Sequence, residues 1–485
     1  MDMGTFIDVE NGENEGTKEL TEPFITQEKV AAKDEVESNE ISNKGTIGMV
    51  VLSTAVAVCG SFAFGSCVGY SAPTQSAIRE DLKLSISEYS MFGSILTIGA
   101  MIGAITSGHI ADFIGRKGAM RLSALFWITG WLAIYFSKGA LSLDIGRLCT
   151  GYGCGVISYV VPIFIAEIAP KNLRGGLTTA NQLMIVLGSS VAFLIGSVVT
   201  WRTLALTGLI PCVLLLLGLF FIPESPRWLA KMGLHKEFEV AMQKLRGKDA
   251  DITQEAAEIQ DNILTIQSLP KARMLDLFQQ KYIRSVIIGV GLMVAQQFGG
   301  INGIGFYVSE TFTAAGSSGK TGTIAYACVQ FPITFLGAIL IDRAGRRPLI
   351  MAAAIGTFSG CFLTGMSFFL KSHELLLDWD PMLAVAGVLI YIGSFAIGMG
   401  SVPWVMMSEI FPINVKGVAG SFVTLVNWFG AWAVSYTFNF LMDWSTSGTF
   451  FLYAGICAMT ILFVAKFVPE TKDRTLEEIQ ASINL

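Results

Sequence analysis

Asp112-Phe113-Ile114-Gly115-Arg116-Lys117 closes one long apolar run, and Asp342-Arg343-Ala344-Gly345-Arg346-Arg347 closes another 230 residues later. Two more loops repeat in the same order. Glu167-Ile-Ala-Pro-Lys-Asn-Leu-Arg-Gly175 returns as Glu409-Ile-Phe-Pro-Ile-Asn-Val-Lys-Gly417, an offset of 242. Pro223-Glu224-Ser225-Pro226-Arg227 returns in part as Pro469-Glu470-Thr471-Lys472, an offset of 246. A single match of this kind is weak. Three in register argue for two parallel halves with a site at their interface.

Working outward from these loops, apolar runs long enough to span a bilayer fall near 47–70, 88–110, 119–137, 145–166, 178–200, 203–222, 283–308, 322–341, 348–370, 381–407, 417–441 and 448–468. The sequence therefore predicts an all-α integral membrane protein of twelve transmembrane helices in two six-helix halves. The expected organisation is an acidic disordered tail (1–46), a first half (47–222), a cytoplasmic helical insert (223–282), a second half (283–468) and a short tail (469–485). In the insert, Lys236-Glu-Phe-Glu-Val-Ala-Met242 shows helical periodicity among many charges.

Composition agrees, with 52% hydrophobic and 15% charged residues among 485, which is too apolar for a soluble core. The net charge of −5 averages two unlike parts. Residues 1 to 46 hold 12 Asp/Glu and 4 Lys, or −8, which leaves +3 for the remainder. The tail is acidic, poor in apolar residues and lacks the basic region of a signal peptide. All eight cysteines lie in or at the ends of apolar runs without CxxC or Cys/His spacing, so neither disulfides nor a metal site are expected. The chain has no Asn-x-Ser/Thr sequon. Basic residues concentrate in the connections after the even-numbered spans, including Arg116/Lys117/Arg121, Lys171/Arg174, Arg343/Arg346/Arg347 and Lys416. The positive-inside rule then puts both termini and the insert in the cytoplasm.

Gln296-Gln297-Phe298-Gly299-Gly300-Ile301-Asn302 sits inside the apolar run 283–308. Three amides in hydrocarbon need partners, and paired glycines let the helix bend or unwind there. Two readings stand: the amides bind a neutral, hydroxyl-rich solute, or they only bond between helices. Gln182, Gln330, Asn427, Trp404 and Trp428 are further polar or aromatic residues within spans. A tryptophan can stack on a sugar ring while amides bond its hydroxyls, but it can equally belong to a lipid-interface belt or to the core. His109 reads as a structural histidine rather than a proton relay.

The repeated loops place carboxylates and cations at the membrane boundary, where ion pairs can hold one face shut and part as water enters. Asp112, Arg116, Glu167, Arg174, Asp342, Arg346, Arg347, Glu409 and Lys416 form the candidate gate. Topology alone also expects cations in these loops.

These motifs, with Pro223-Glu-Ser-Pro-Arg-Trp228, Gly400-Ser-Val-Pro-Trp404 and Gly69-Tyr-Ser-Ala-Pro73, resemble the sugar porter family of the major facilitator superfamily from about residue 47 to the end. Within it the chain looks most like the plant early-response-to-dehydration (ERD-like) monosaccharide transporters. The resemblance implies monosaccharide binding by Gln182, Gln296, Gln297, Asn302, Trp404 and Asn427, with Gln330 where the family often has asparagine. Lys416 replaces the arginine usual in the second half and lacks its two-pronged fork. Proton-coupled members carry an aspartate in span 1 paired with an arginine in span 4; here those positions are Cys67 and Arg147. A thiol of ordinary pKa is a poor proton carrier, so energy-independent facilitation is the expectation and a proton symporter the alternative, with Glu167, Asp144 or Glu310 as other possible carriers.

A sugar sensor that binds without transport is a reading of a different class, disfavoured by the short tails. No catalytic set, metal cluster or nucleotide loop is evident, so an enzyme, a cofactor and a nucleic-acid partner are not expected. The expected partners are a monosaccharide and the lipid bilayer, with the chain a functional monomer as the resemblance implies. Glu19-Leu-Thr-Glu-Pro-Phe-Ile25 loosely resembles an acidic dileucine sorting signal, which, with the resemblance, favours the vacuolar membrane over the plasma membrane.

Overall fold

The computed structural model describes residues 47–170, 173–247, 250–268, 273–375, 380–472, 474, 478, 479 and 483, the side chains of 266, 267, 342, 380, 413 and 414 excepted. The acidic tail expected at 1–46 lies outside the described residues, as do Lys171 and the Asp342 side chain. The first half comprises α1 (Ile47–Gly69), α2 (Ser71–Leu82), α3 (Ile86–Tyr135), α4 (Ala140–Ile168), α5 (Arg174–Gly196), α6 (Trp201–Thr207) and α7 (Leu209–Gly218). The insert holds α8 (Pro226–Lys231), α9 (His235–Arg246), α10 (Thr253–Ser268) and a 3-10 turn at Met274–Phe278. The second half comprises α11 (Ile283–Phe298), α12 (Ile301–Phe306), α13 (Val308–Ala314), α14 (Gly319–Ala344), α15 (Arg346–Ser372), α16 (Asp380–Ser394), a π-helical turn at Phe395–Met399, α17 (Val402–Ile410), α18 (Ile413–Trp444) and α19 (Thr446–Phe467).

At 50 residues, α3 is about 75 Å long and far exceeds the roughly 30 Å hydrocarbon core. It holds two spans, joined where Gly115 leaves helical geometry at φ 81°, ψ 172°. Gly345 takes nearly the same angles, φ 91°, ψ 164°, between α14 and α15. The repeated Asp-x-x-Gly-Arg loop is thus one left-handed turn built twice, at positions where glycine carries no Cβ penalty. Counted this way, the eleven long apolar helices among the described residues supply twelve spans.

Helix starts at the face remote from the insert are capped by local hydroxyls. Ser85 and Glu88 form a reciprocal capping box, and Thr200, Ser318 and Ser445 each accept from the backbone three residues on. Within the first half, α3 and α4 cross where Gly99 and Gly103 face Gly151 and Gly155. A Cβ on Gly151 or Gly155 would come within 2.1 Å of the carbonyl oxygens of Leu96 and Ala100. Small residues allow that approach, and close packing drives helix association where lipid offers no hydrophobic gain.

The halves meet toward the remote face. Asn439 Nδ2 donates to Ser90 Oγ at 2.9 Å, Ser190 Oγ donates to the Ala327 carbonyl, and the Tyr89 and Tyr307 rings lie 6.3 Å apart. At the insert face, Gly175, Gly176, Gly417 and Gly420, which start α5 and α18, have open space around them. The halves are thus held together toward the remote face, while these four glycines have no neighbouring side chain within reach.

Candidate sugar site and charged loops

Gly300, at φ 100°, breaks the seventh span between α11 and α12, where a Cβ would also strike the Tyr453 ring at 2.8 Å. The break turns Gln296, Gln297 and Asn302 into one cluster. Gln297 Nε2 donates to Asn427 Oδ1 at 2.7 Å and to Gln296 Oε1 at 3.3 Å, while its own oxygen accepts from Asn302 Nδ2 at 2.5 Å. Gln296 Nε2 donates to the Met399 and Gly400 carbonyls at 2.5 and 3.2 Å. Those carbonyls are available because the tenth span loosens into a π-helical turn and a bend before α17, a break that the apolar run 381–407 does not announce. Buried amides at 4–6% exposure thus satisfy one another and the broken backbone.

In front of this chain lies a cavity of about 110 Å³, lined by Gln182 and Phe193 of α5, Asn302 of α12, Tyr326 and Gln330 of α14, and Ser401 at the bend. At roughly 10–15 Å³ per water, it is large enough to be wet. Both halves contribute to it. Three of the amides expected from the sequence, Gln182, Asn302 and Gln330, reach this space directly. Gln296, Gln297 and Asn427 stand behind Asn302. Trp404 is half-buried against the cluster that contains Leu349, Met399 and Met406, and Trp428 packs on Phe64 at 6.2 Å. Tyr326 and Ser401 were missed by sequence reasoning. Tyr326 lies one turn before Gln330 on the same helical face, a spacing that could have singled it out.

The charged loops form two clusters of the same design. In the first half, Arg116 grips both oxygens of Glu167 at 2.9 and 2.8 Å and touches Asp112 at 3.3 Å, while Ser225 Oγ donates to Glu167 at 2.5 Å. Glu224 accepts from the Lys117 N–H at 3.1 Å and the Ser225 N–H at 2.8 Å. In the second half Arg346 pairs with Glu409 at 3.0 Å, Thr471 Oγ1 donates to Glu409 at 2.6 Å, and Glu470 accepts from the N–H groups of Arg346, Arg347, Thr471 and Lys472 at 2.8–3.1 Å. Each glutamate sits on a helix N-terminus, where free N–H groups and the dipole favour an anion. Glu224, Ser225, Glu470 and Thr471 were seen in the sequence only as a partial repeat. The unpaired N–H groups of a helix beginning at each Gly-Arg turn are the signal that calls for them.

Among the described residues no ion pair of the candidate gate crosses between the halves; each cluster knits its own half together. Arg347 bonds the Ala465 carbonyl, Lys231 of the insert pairs with Asp112 at 2.9 Å, and Arg174 and Lys416 make no ion pair among the described residues. Burial pushes the Glu224 carboxyl above its usual range despite its two N–H partners. Burial also acts on Glu470, but its four N–H bonds outweigh it and hold that carboxyl low. The insert is anchored to the first half, where Arg246 pairs with Glu255 at 2.7 and 2.8 Å and donates to the Ile168 carbonyl at 2.9 Å.

Arg147 is fully buried in α4. It donates to the Cys67 carbonyl at 2.6 Å and to Ser71 Oγ, and lies over the Phe92 and Tyr70 rings at 5.2 and 5.5 Å. No carboxylate pairs with it among the described residues.

Comparison with known proteins places this geometry. The sugar (and other) transporter family matches residues 46–482. Sugar transporter ERD6-like 16 of Arabidopsis thaliana is 70% identical over 98% of both chains, and ERD6-like 7 of the same plant is 65% identical over 90% of this chain and 94% of its own. Among solved structures, the inward open conformation of the xylose transporter XylE from E. coli is similar with a TM-score of 0.75 at 27% identity, covering 89% of this chain and 99% of that one. The proton:xylose symporter XylE bound to 6-bromo-6-deoxy-D-glucose gives 0.72 at 27% identity, covering 91% and 99%. The twelve spans in two halves are the major facilitator fold, and the chain belongs to the sugar (and other) transporter family, a membrane carrier rather than an enzyme.

Proposed function

We propose that this chain carries a monosaccharide across the membrane by alternating access, driven only by the sugar's own gradient. The observation that carries the reading is the cavity between halves held together toward the remote face, into which Gln182 of one half and Asn302 and Gln330 of the other project. Neutral amides match a neutral polyol, since each both donates and accepts. Binding from both halves lets the sugar favour closure around itself and so ease passage between two states. The paired gate residues, Arg116 with Glu167 and Asp112 in one half and Arg346 with Glu409 in the other, then act by stiffening each half at the boundary so that the halves rock as bodies.

Passive transport is supported by the Cys67 position, where Arg147 holds a main-chain carbonyl instead of a carboxylate. The second reading, a proton symporter, draws on the similarity to a protein described as a proton:xylose symporter. Uptake of radiolabelled glucose and fructose into vesicles containing the purified protein, with and without a proton gradient, decides between them. Equilibration that is indifferent to the gradient supports facilitation; accumulation above equilibrium only with the gradient overturns it.

The reading includes a functional monomer, both termini and the insert in the cytoplasm, and residence in the vacuolar membrane. Basic loops on the insert side support the orientation and the segment Glu19–Ile25 the location, while the monomer rests on the family resemblance. Imaging of a fluorescent fusion in plant cells tests the location, and signal at the plasma membrane alone overturns it.

A further inference from the structure

Tyr326 is buried to 2% exposure and lines the cavity, where its hydroxyl makes no hydrogen bond among the described residues. Its ring is held edge-on against Phe193 of the other half, centroids 5.5 Å apart at 81°. Across from it, Gly305 leaves room: a Cβ there would meet the phenol oxygen at 3.5 Å. One turn further along α14, the Gln330 carbonyl oxygen is buried and also unpartnered, and both residues line the cavity. An unpaired buried amide oxygen carries a penalty of about 1–3 kcal/mol, so the Gln330 oxygen, with the free Tyr326 hydroxyl one turn away on the same cavity wall, marks a place for a bonding partner. The amide can turn to exchange its oxygen and nitrogen, and the phenol can donate or accept. A single sugar hydroxyl, itself both donor and acceptor, would satisfy both at once.

Resting on the monosaccharide reading above, we propose that Tyr326 is a specificity-determining residue that, with Gln330, reads one hydroxyl of the sugar. This contact lies on α14, apart from the amide cluster around Gln297. It discriminates by chemistry rather than size, because a site built to bond a hydroxyl is left with unpaired groups when that hydroxyl is missing.

The test uses the full chain in vesicles, with uptake of labelled glucose competed by the series of monodeoxyglucoses, for wild type and Tyr326→Phe. The substitution keeps the ring and its contact with Phe193. In wild type, one deoxy position should compete about 2- to 10-fold more weakly than glucose, the worth of one neutral hydrogen bond. Tyr326→Phe should weaken glucose by a similar factor and shrink the penalty at that one position, leaving the others unchanged. Gln330→Leu should act on the same position. Uptake with the whole series of ratios unchanged in Tyr326→Phe overturns the inference alone. Wild-type protein that takes up no sugar overturns the monosaccharide reading and this inference together.

Discussion

Arg147 donates to the main-chain carbonyl of Cys67 at 2.6 Å, joining the fourth span to the first through a fully buried guanidinium that meets no carboxylate among the described residues. A buried cation is stabilised strongly by a nearby anion. Cys67→Asp should therefore install a proton-sensitive pair. The expected result is uptake that varies with pH in the variant, against a flat profile for wild type. A flat profile in the variant would show that this pairing is not sufficient for coupling.

Gln297 is the hub of the amide chain, bonded to Gln296, Asn302 and Asn427. Gln297→Ala strands two of those partners and should raise the KM for sugar by about 5- to 100-fold, equivalent to roughly 1–3 kcal/mol. Concentration-dependent uptake, with size-exclusion behaviour as a folding control, measures this. An unchanged KM would remove the cluster from the site.

The two charged clusters share a design but not an environment. Glu167 is 12% exposed and gripped by both prongs of Arg116, whereas Glu409 is 25% exposed. Glu167→Gln should destabilise the protein by about 3 kcal/mol and Glu409→Gln by about 1 kcal/mol, because stranding a buried charge costs more than parting a wetter pair. Thermal unfolding in detergent ranks them; equal shifts would contradict the difference in burial.

Glu224 and Glu470 should respond to acid with opposite sign. The folded pKa of Glu470 is lowered, so its stabilisation is present above the ordinary carboxylate value and lost as pH falls through the folded value. That of Glu224 is raised, so folding is favoured while it is protonated, and its contribution declines as pH rises from the ordinary value through the folded one. Across about pH 3 to 7, the Tm gap between wild type and Glu470→Gln should widen with pH, while the gap to Glu224→Gln should narrow. Parallel curves would refute the assignment.

How much of this was legible beforehand depended on the kind of signal. Spans, insert and the two-fold repeat were readable because each rests on runs of like residues or on motifs repeated at a fixed offset. Gln182, Asn302 and Gln330 stood out because an amide in hydrocarbon must find a partner. Tyr326 gave no such sign, since tyrosine is ordinary in a buried apolar helix. The roles of Glu224 and Glu470 depend on helix ends more than a hundred residues away in the chain. The bend at 395–401 frees the Met399 and Gly400 carbonyls for Gln296, a partner more than a hundred residues away in the chain.

The sequence by itself determined that this chain spans a membrane twelve times in two matching halves, because hydrophobic length and repeated loops are local properties. Only the tertiary structure decided that the gate charges close within each half, that Gln296 and Asn427 stand behind the cavity and Tyr326 in front of it, and toward which face the halves are held together. Hydrogen bonds and close contacts act over a few ångströms between side chains far apart in the chain, and no local pattern encodes which of them will meet.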